Sequence, residues 1–495
     1  MGAIAAVFSK SPIDAPHLVT EMLCAMQHRA QDAAAVAWGD TFQSAESPCL
    51  LTASSPRQQV AIGYGFTKIL PDDNLQPLRA GNGWLCLDGR VVKDGLLVGA
   101  EEAARLLGSR LTPARFSSIQ SEVDGAYVLC WCVLDGLFVT RDALGLKPIF
   151  MGTRDGMVAV ASDRKGLSAV GIDEAISFPP GGFLKASEGE LVIRSLSHVP
   201  ETPVTPRQMK PDAEELLLLL TESVAIQTAE VGEVAVGFSG GLDSTVIAKI
   251  ARDAEVDLLL VTVGVGQTPE MSQAKSVAET LGLPILTREY SMSDVAECLD
   301  RILWLIEEPD LMKVSVALPI GWVTQVAVEN GRRVVLLGQG SDELFGGYKR
   351  FASIMGKNGA GAASNAISES VRRAYEVNYQ RDEQAASWLR AELRLPFATR
   401  KVADFAAQVP LGMKVRSPSD DLRKWILRDV AIKLGIPESI AMKPKKAIQH
   451  ASGVEMAIRA IAKGHGLSTS EYLERRYKMS RESGPIKERS SAAGH

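Results

Sequence analysis

The residues with the most chemistry per position lie in "VGFSGGLDSTVIAKIA" (236–251), where an apolar β-type run breaks into Ser239-Gly240-Gly241-Leu242-Asp243-Ser244 and a helical pattern follows at once. Two glycines let backbone approach an anion closely. The start of the following helix offers free N–H groups and the positive end of its dipole to a phosphate. Ser239 and Ser244 add hydroxyl donors, and Asp243 is a carboxylate able to hold a magnesium ion. No lysine follows as in a Walker loop, so the spacing specifies a different phosphate cradle.

A second chemical question is posed by "MGAIAAVFSK", an apolar strand beginning at the first residue. Some hydrolases place a Cys, Ser or Thr nucleophile at position 2, with the freed α-amine as base. Gly2 has no side chain with which to attack.

The elements that must position these residues are legible in the texture of the chain. Residues 1–200 carry short β-type runs broken by Gly and Asp turns, with helical patterns near 17–28 and 100–107, which implies a layered α/β domain of mostly antiparallel sheet. "HVPETPVTPRQMKPD" (198–212) holds four prolines without apolar periodicity and reads as a linker. Beyond it, helix 213–229, strand "EVAVGF", a helix from Ser244, strand "DLLLVTV", helix 271–282, strand "PILTREY", helices 293–306 and 317–330 and strand "RRVVLLG" alternate. That order implies parallel βα units in a doubly wound sheet, whose ligands sit at the carboxyl ends of the strands. The expected division is 1–200, 211–478 and a polar, disordered tail, 479–495.

Bulk properties narrow the classes. The chain has 495 residues, 46% of them hydrophobic and 23% charged, with a formal charge of −5. This balance excludes a nucleic-acid footprint and a polybasic membrane patch. No apolar run approaches the roughly 20 residues of a bilayer span, and no signal-peptide pattern opens the chain. The six cysteines show neither CxxC pairs nor zinc spacing, so a reduced, cytoplasmic setting is expected.

The 239–244 loop resembles the pyrophosphatase-type loop of enzymes that form acyl-adenylates. With "VVLLGQGSDELFGGYKRF" (334–351), "LRAELRLPF" (389–397) and "LRKWILRDVAIKLGIPESIAMKPKKAIQHASG" (422–453), the chain resembles the asparagine synthetase family. The resemblance implies an Ntn-hydrolase-like αββα domain followed by an ATP-pyrophosphatase α/β domain with a helical C-terminal portion. It implies ATP and Mg²⁺, the ion held by Asp243 and Asp342, with Phe238, Val263 and Gly338 lining the nucleotide pocket. Lys445 aligns with the catalytic lysine, with Lys443 and Lys446 beside it. Taken alone, a KPKK cluster reads as a solvated loop.

The departures from the family are as informative. "RDALGLKPIF" (141–150), "ASDRKGL" (161–167) and "FPPGGFL" (178–184) match its glutaminase domain, yet Gly2 replaces the nucleophilic cysteine. Arg29 in "HRAQD" survives at the glutamine-carboxylate position. Asp88-Gly89-Arg90 stands for Asn-Gly-Glu, which puts a carboxylate at the oxyanion hole and reverses the charge at the ammonium position. Ala100 replaces an acidic residue. These losses imply a retired glutaminase. In the synthetase half Leu337 replaces a serine, Thr399 an aspartate, and Gln339 the glutamate that handles ammonia. Gln339 cannot accept a proton at neutral pH, which leaves Glu392 as the base candidate.

The implied activity is an AMP- and PPi-forming amide ligase that joins a small-molecule carboxylate to ammonia or an amine. The amine is free, delivered by a separate protein, or part of the substrate, and a homodimer is left open. The alternatives are an intramolecular cyclase of the β-lactam or lasso-peptide type and a catalytically silent scaffold.

Overall fold

A computed structural model describes residues 2–107, 112–195, 211–444 and 452–483. The strand that opens the chain, Gly2–Ile13, lies at the centre of an antiparallel sheet of seven. From edge to edge the order is Ile176–Ser177, Phe150–Arg154, Met157–Ala161, Gly2–Ile13, Gln58–Phe66, Ala33–Trp38, Thr41–Ala45. A second seven-stranded sheet runs Glu190–Ser195, Gly182–Ser187, Gly136–Arg141, Asp124–Val133, Gly83–Lys93, Leu78–Ala80, with Leu96–Val98 also paired to Gly83–Lys93.

The period-two alternation of strand side chains builds the layers. Ala3, Ala5 and Val7 face the helix Ala15–Ala25, with Val19, Met22 and Leu23. Ile4, Ala6 and Phe8 face the second sheet, meeting Val128, Cys130 and Val139. The far side of that sheet buries Leu85, Leu129 and Trp131 against Phe116 and Ile119 of helix Pro113–Glu122. The result is the expected αββα sandwich, with Trp131 in its core.

The second unit is a five-stranded parallel sheet in the order Ile285–Tyr290, Asp257–Val265, Glu233–Gly237, Val334–Leu336, Glu392–Arg394. The first strand in sequence, Glu233–Gly237, is central, and the chain crosses from one side of it to the other. Val234, Val236 and Leu260 face helices Ala213–Thr228 and Leu242–Asp253, while Ala235, Val261 and Val335 face Met292–Ile306 and Leu311–Glu329. A doubly wound sheet with helices on both faces follows.

Several boundaries differ from expectation. Helix Leu311–Glu329 begins six residues before the expected 317, because the Asp310 carboxylate accepts the Lys313 N–H at its start and Pro319 is accommodated inside it. It is also the one described helix long and apolar enough to cross a membrane, although most of it is buried within the protein. The last helix, Thr469–Ser483, carries ordered structure five residues into the segment expected as a disordered tail. The proline-rich linker lies almost wholly outside the described residues. Cys24 and Cys49 form a disulfide, which corrects the expectation that all six cysteines are reduced; Cys86, Cys130, Cys132 and Cys298 are free.

Candidate functional site

The loop 239–244 leaves the carboxyl end of the central strand and enters helix Leu242–Asp253. Phe238 N–H donates to the Val261 carbonyl at 2.8 Å and extends the sheet by one residue before the turn. Gly240 has φ +65°, and a Cβ there would lie 2.8 Å from the Ala274 Cα. Only glycine fits both the dihedral and the approach. Gln273 Nε2 donates to the Gly240 carbonyl at 3.0 Å, and the Ser239 and Ser244 hydroxyls lie 3.3 Å apart. Leu242 is half-buried against the core and Val263 buried beside the loop.

The neighbouring strand Val334–Leu336 delivers the second loop. Gly338 packs on Asp243, where an added Cβ would meet the aspartate Cβ at 3.1 Å. Gly340, with φ +90°, packs against the Tyr379 hydroxyl and Ala398, and Gln339 between them is half-buried. This close fit brings Asp243 and Asp342 together as the sequence implies. It also brings a residue that sequence reasoning missed. Lys424 Nζ lies 2.7 Å from Asp243 Oδ1 and 2.6 Å from Asp342 Oδ1, and donates to Ser341 Oγ at 3.1 Å. Its side chain is only 2% exposed. Burial pulls its pKa down and Asp243 pulls it back up, for a net lowering.

Lys424 is held there by unusual backbone. Arg423 and Lys424 have consecutive left-handed φ values of 54° and 53°. Such conformations cost about 1–3 kcal/mol each for non-glycine residues and persist only when surroundings over-determine them. Here Arg423 Nε donates to the Gly347 carbonyl at 2.9 Å. The Asp420 carboxylate accepts the Leu422 and Arg423 N–H groups and the Trp425 indole. Buried Arg428 donates to the carbonyls of Leu422, Arg423, Ala441 and Lys443. It thereby ties the turn to the chain entering 445–451. Lys445, Lys446 and His450 lie outside the described residues. The available signal for Lys424 was its place twenty-one residues before Lys445 in the same matched segment.

Two carboxylates converging on one cation at 2.6–2.7 Å are a donor set suited to Mg²⁺, which takes one or two carboxylates and completes its shell with phosphate oxygens and water. Among the described residues no group of three or more His, Cys, Asp or Glu offers an all-protein metal cage.

Glu392 does not stand as a free base. Its Oε1 accepts Arg394 Nε at 2.8 Å and its Oε2 faces Arg90 Nε at 3.4 Å. Burial pushes its pKa up, but Arg394 and Arg90 outweigh burial and hold the carboxyl well below the usual range. Thr399, in place of aspartate, caps helix Arg400–Gln408 by accepting the Val402 N–H.

Around the expected degenerate pocket, side chains of the protein pair with one another. Asp88 Oδ1 accepts the Gly2 N–H at 3.0 Å. Arg29, buried, is held at both ends of the Asp163 carboxylate, at 2.7 and 2.9 Å, and so faces a residue of its own domain. Gly89 has φ +100° and Ala100 begins helix Ala100–Leu107. Arg90 reaches Asp73 at 2.6 Å and Asp72 at 3.3 Å as well as Glu392. Lys147 Nζ meets Glu383 at 2.9 Å, and Glu307 accepts the N–H groups of Arg164 and Lys165. These charged contacts join the two domains, and no motif in the sequence announced them.

The model of the family described as asparagine synthase matches residues 215–390 and 357–476. A putative asparagine synthetase (glutamine-hydrolysing) 1 of Methanocaldococcus jannaschii is 30% identical over 376 residues, 67% of this chain and 69% of that protein. Asparagine synthetase B of Escherichia coli is 28% identical over 345 residues, 65% of this chain and 59% of that one. Asparagine synthetase 2 of Arabidopsis thaliana is 25% identical over 331 residues, 60% and 55%. The chain thus spans less than two thirds of the length of most of these relatives. A glutamine phosphoribosylpyrophosphate amidotransferase structure from B. subtilis aligns at 17% identity over 58% of this chain and 65% of that one, with a TM-score of 0.31, which carries no argument.

Proposed function

The chain belongs to the asparagine synthase family, a family of ATP-dependent ligases, and from that premise we propose that it adenylates a small-molecule carboxylate and transfers the acyl group to an amine, with no glutaminase activity of its own. The observation that carries the reading is the meeting of Asp243, Asp342 and Lys424 at the mouth of the 239–244 loop.

In this reading ATP lies with its phosphates over Ser239–Ser244, whose N–H groups and hydroxyls donate to phosphate oxygens. Mg²⁺, when held by Asp243 and Asp342, neutralises triphosphate charge. A substrate carboxylate oxygen bonds to the α-phosphorus and the bond to pyrophosphate breaks. Lys424, displaced from the two aspartates, follows the charge onto the leaving pyrophosphate, together with Lys445 by its alignment. An amine then displaces AMP from the acyl carbon. Gln339, half-buried beside the Asp342 turn, orients the acyl group by hydrogen bonding and takes no proton.

Glutamine hydrolysis is absent from this reading because Gly2 carries no thiol and its N–H is already held by Asp88. The test is release of PPi and AMP from ATP-Mg with a panel of carboxylates, with ammonium, with glutamine and with neither. Carboxylate-dependent PPi, reduced at least 100-fold by Asp243→Asn, is expected. Glutamine-driven turnover overturns the retired glutaminase. Product formed without any added amine moves the reading to the intramolecular cyclase, and absence of both PPi release and ATP binding to the silent scaffold.

A further inference from the structure

We propose that the cavity between the two domains holds the amine substrate, and that this substrate is an organic primary amine with an apolar body, anchored by Asp124, rather than ammonia. The inference rests on the ligase reading and names its second substrate.

The cavity measures ≈720 Å³. Ammonia is about the size of water, which occupies roughly 30 Å³, whereas sites for small organic ligands run from about 300 to 1,000 Å³. Its walls come from both domains: Leu97 and Leu146 from the first, Leu219, Ile226, Leu395 and Ala398 from the second. An apolar lining of this extent suits a hydrocarbon body and offers little to a small polar solute.

One end is lined by charged side chains in contact with one another. Arg90, Glu392 and Arg394 form one chain of contacts, and Lys147 and Glu383 a second. Arg90, Lys147 and Glu392 also line the smaller cavity beside Tyr64 and Gly89, so these pairs mark where the two cavities adjoin. Elsewhere the lining is acidic on balance, with Asp94, Glu122, Asp124, Glu222 and Asp404 against Arg400 and Lys401. Lys401 is taken by Glu222 at 2.6 Å and Glu122 is taken by Arg115. Asp124 is different. It accepts the backbone N–H of Gly125 at 2.7 Å and of Arg400 at 3.2 Å, and among the described residues no cationic side chain lies within ion-pair distance of it. The helix beginning at Arg400 already has its cap in Thr399. Burial raises the Asp124 pKa, and the more distant charges of Arg400 and Lys401 with the two backbone N–H groups only partly offset it. A ligand ammonium supplies a closer countercharge.

The cavity also borders the chemistry. Ala398, in its wall, packs on the other side against Gly340, at 3.2 Å from where a Cβ would stand, in the loop of Gln339 and Asp342. An amine leaving Asp124 therefore enters the adenylate site past Ala398. The balance is simple. The ammonium gives one proton to Asp124, the neutral nitrogen bonds to the acyl carbon, the acyl–oxygen bond to AMP breaks, and the second proton leaves to solvent with AMP.

The test has two arms on the full chain. In the first, calorimetry measures binding of 1-hexylamine, with 1-hexanol and hexanoate as controls. Hexylamine binds at least tenfold tighter than either control, and Asp124→Asn removes that preference. Leu219→Trp, which fills the cavity from a half-buried position, weakens hexylamine at least tenfold; Ile226→Trp is the second filling variant should the first fail to melt cooperatively. Equal binding of all three probes, or hexylamine binding indifferent to Asp124→Asn and to a folded filling variant, overturns the site. In the second arm, ATP-Mg and the carboxylate panel are incubated with hexylamine or with ammonium. An N-hexyl amide is expected. Efficient ammonium turnover with no N-hexyl product overturns the acceptor assignment while leaving the ligase reading intact, and no PPi release with any carboxylate overturns the ligase reading itself, a result the binding arm does not depend on.

Discussion

Replacing Glu392 by Gln separates two roles for that residue, a general base and a clamp between domains. The carboxylate lies between Arg394 and Arg90, all three side chains being at most 7% exposed. Breaking a buried pair by removing one partner costs about 3–5 kcal/mol, because an uncompensated charge stays behind. Arg90 keeps Asp73 at 2.6 Å and Asp72 at 3.3 Å, so its loss is partial. Arg394 keeps only carbonyl contact, from Nη1 to Gln227, and its Nη2 already has no partner. The low end of the range, about 3 kcal/mol, follows. With an unfolding entropy of ~2.1 cal/mol/K per residue over a unit of about 270 residues, that is a fall in Tm of about 5 °C.

The pH dependence has a definite sign. The folded pKa of Glu392 is depressed, so its stabilising contribution is complete above the unfolded carboxyl value and is lost as pH falls towards the folded one. The gap in Tm between Glu392→Gln and wild type is therefore full at pH 7 and shrinks below about pH 4.5. Thermal melting at pH 7 and pH 4, alongside carboxylate-dependent PPi release from pH 6 to 9, checks both halves. A clamp predicts the stability loss and an unaltered shape of the rate profile. A Tm within 1 °C of wild type, together with loss of the acidic limb of the profile, would refute the argument and restore Glu392 as the base.

Three further outcomes are expected. Gly2→Cys restores no glutaminase, measured as glutamate release, because its Cβ runs into the buried Tyr64 ring and the Gly65 carbonyl while Asp88 still occupies the oxyanion position; measurable hydrolysis would show the pocket to be adaptable. Gly240→Ala meets the Ala274 backbone at 2.8 Å in a left-handed conformation, and ATP affinity by calorimetry falls at least tenfold, since the strain costs about 1–2 kcal/mol before any clash; unchanged affinity would remove the loop from the nucleotide site. Lys424→Met removes the ammonium that bridges Asp243 and Asp342, so apo stability drops but recovers as magnesium is added, whereas PPi release stays at least 100-fold low; no magnesium response in the melting curve would mean that the two aspartates hold no ion.

What the sequence made legible follows from how local each signal is. The 239–244 loop is a run of six residues whose glycines, hydroxyls and helix start are all adjacent in the chain, so its geometry is implied by its composition. Asp342 required a second local motif and the order of the strands. The sandwich was legible because alternation in a strand such as Gly2–Ile13 sorts Ala3, Ala5 and Val7 from Ile4, Ala6 and Phe8 without reference to anything distant. Lys424 was missed, and the surroundings of Glu392 were not legible, for the opposite reason. Each takes its character from partners hundreds of positions away: Asp243 is 181 residues from Lys424, and Arg90 is 302 residues from Glu392. A family resemblance offers a role for Glu392 but is silent on Arg90, because Arg90 is one of the departures. Arg90, one of those departures, lies within ion-pair distance of Glu392, 302 positions away, so a position read in the first half of the chain sets the charge environment of a residue in the second.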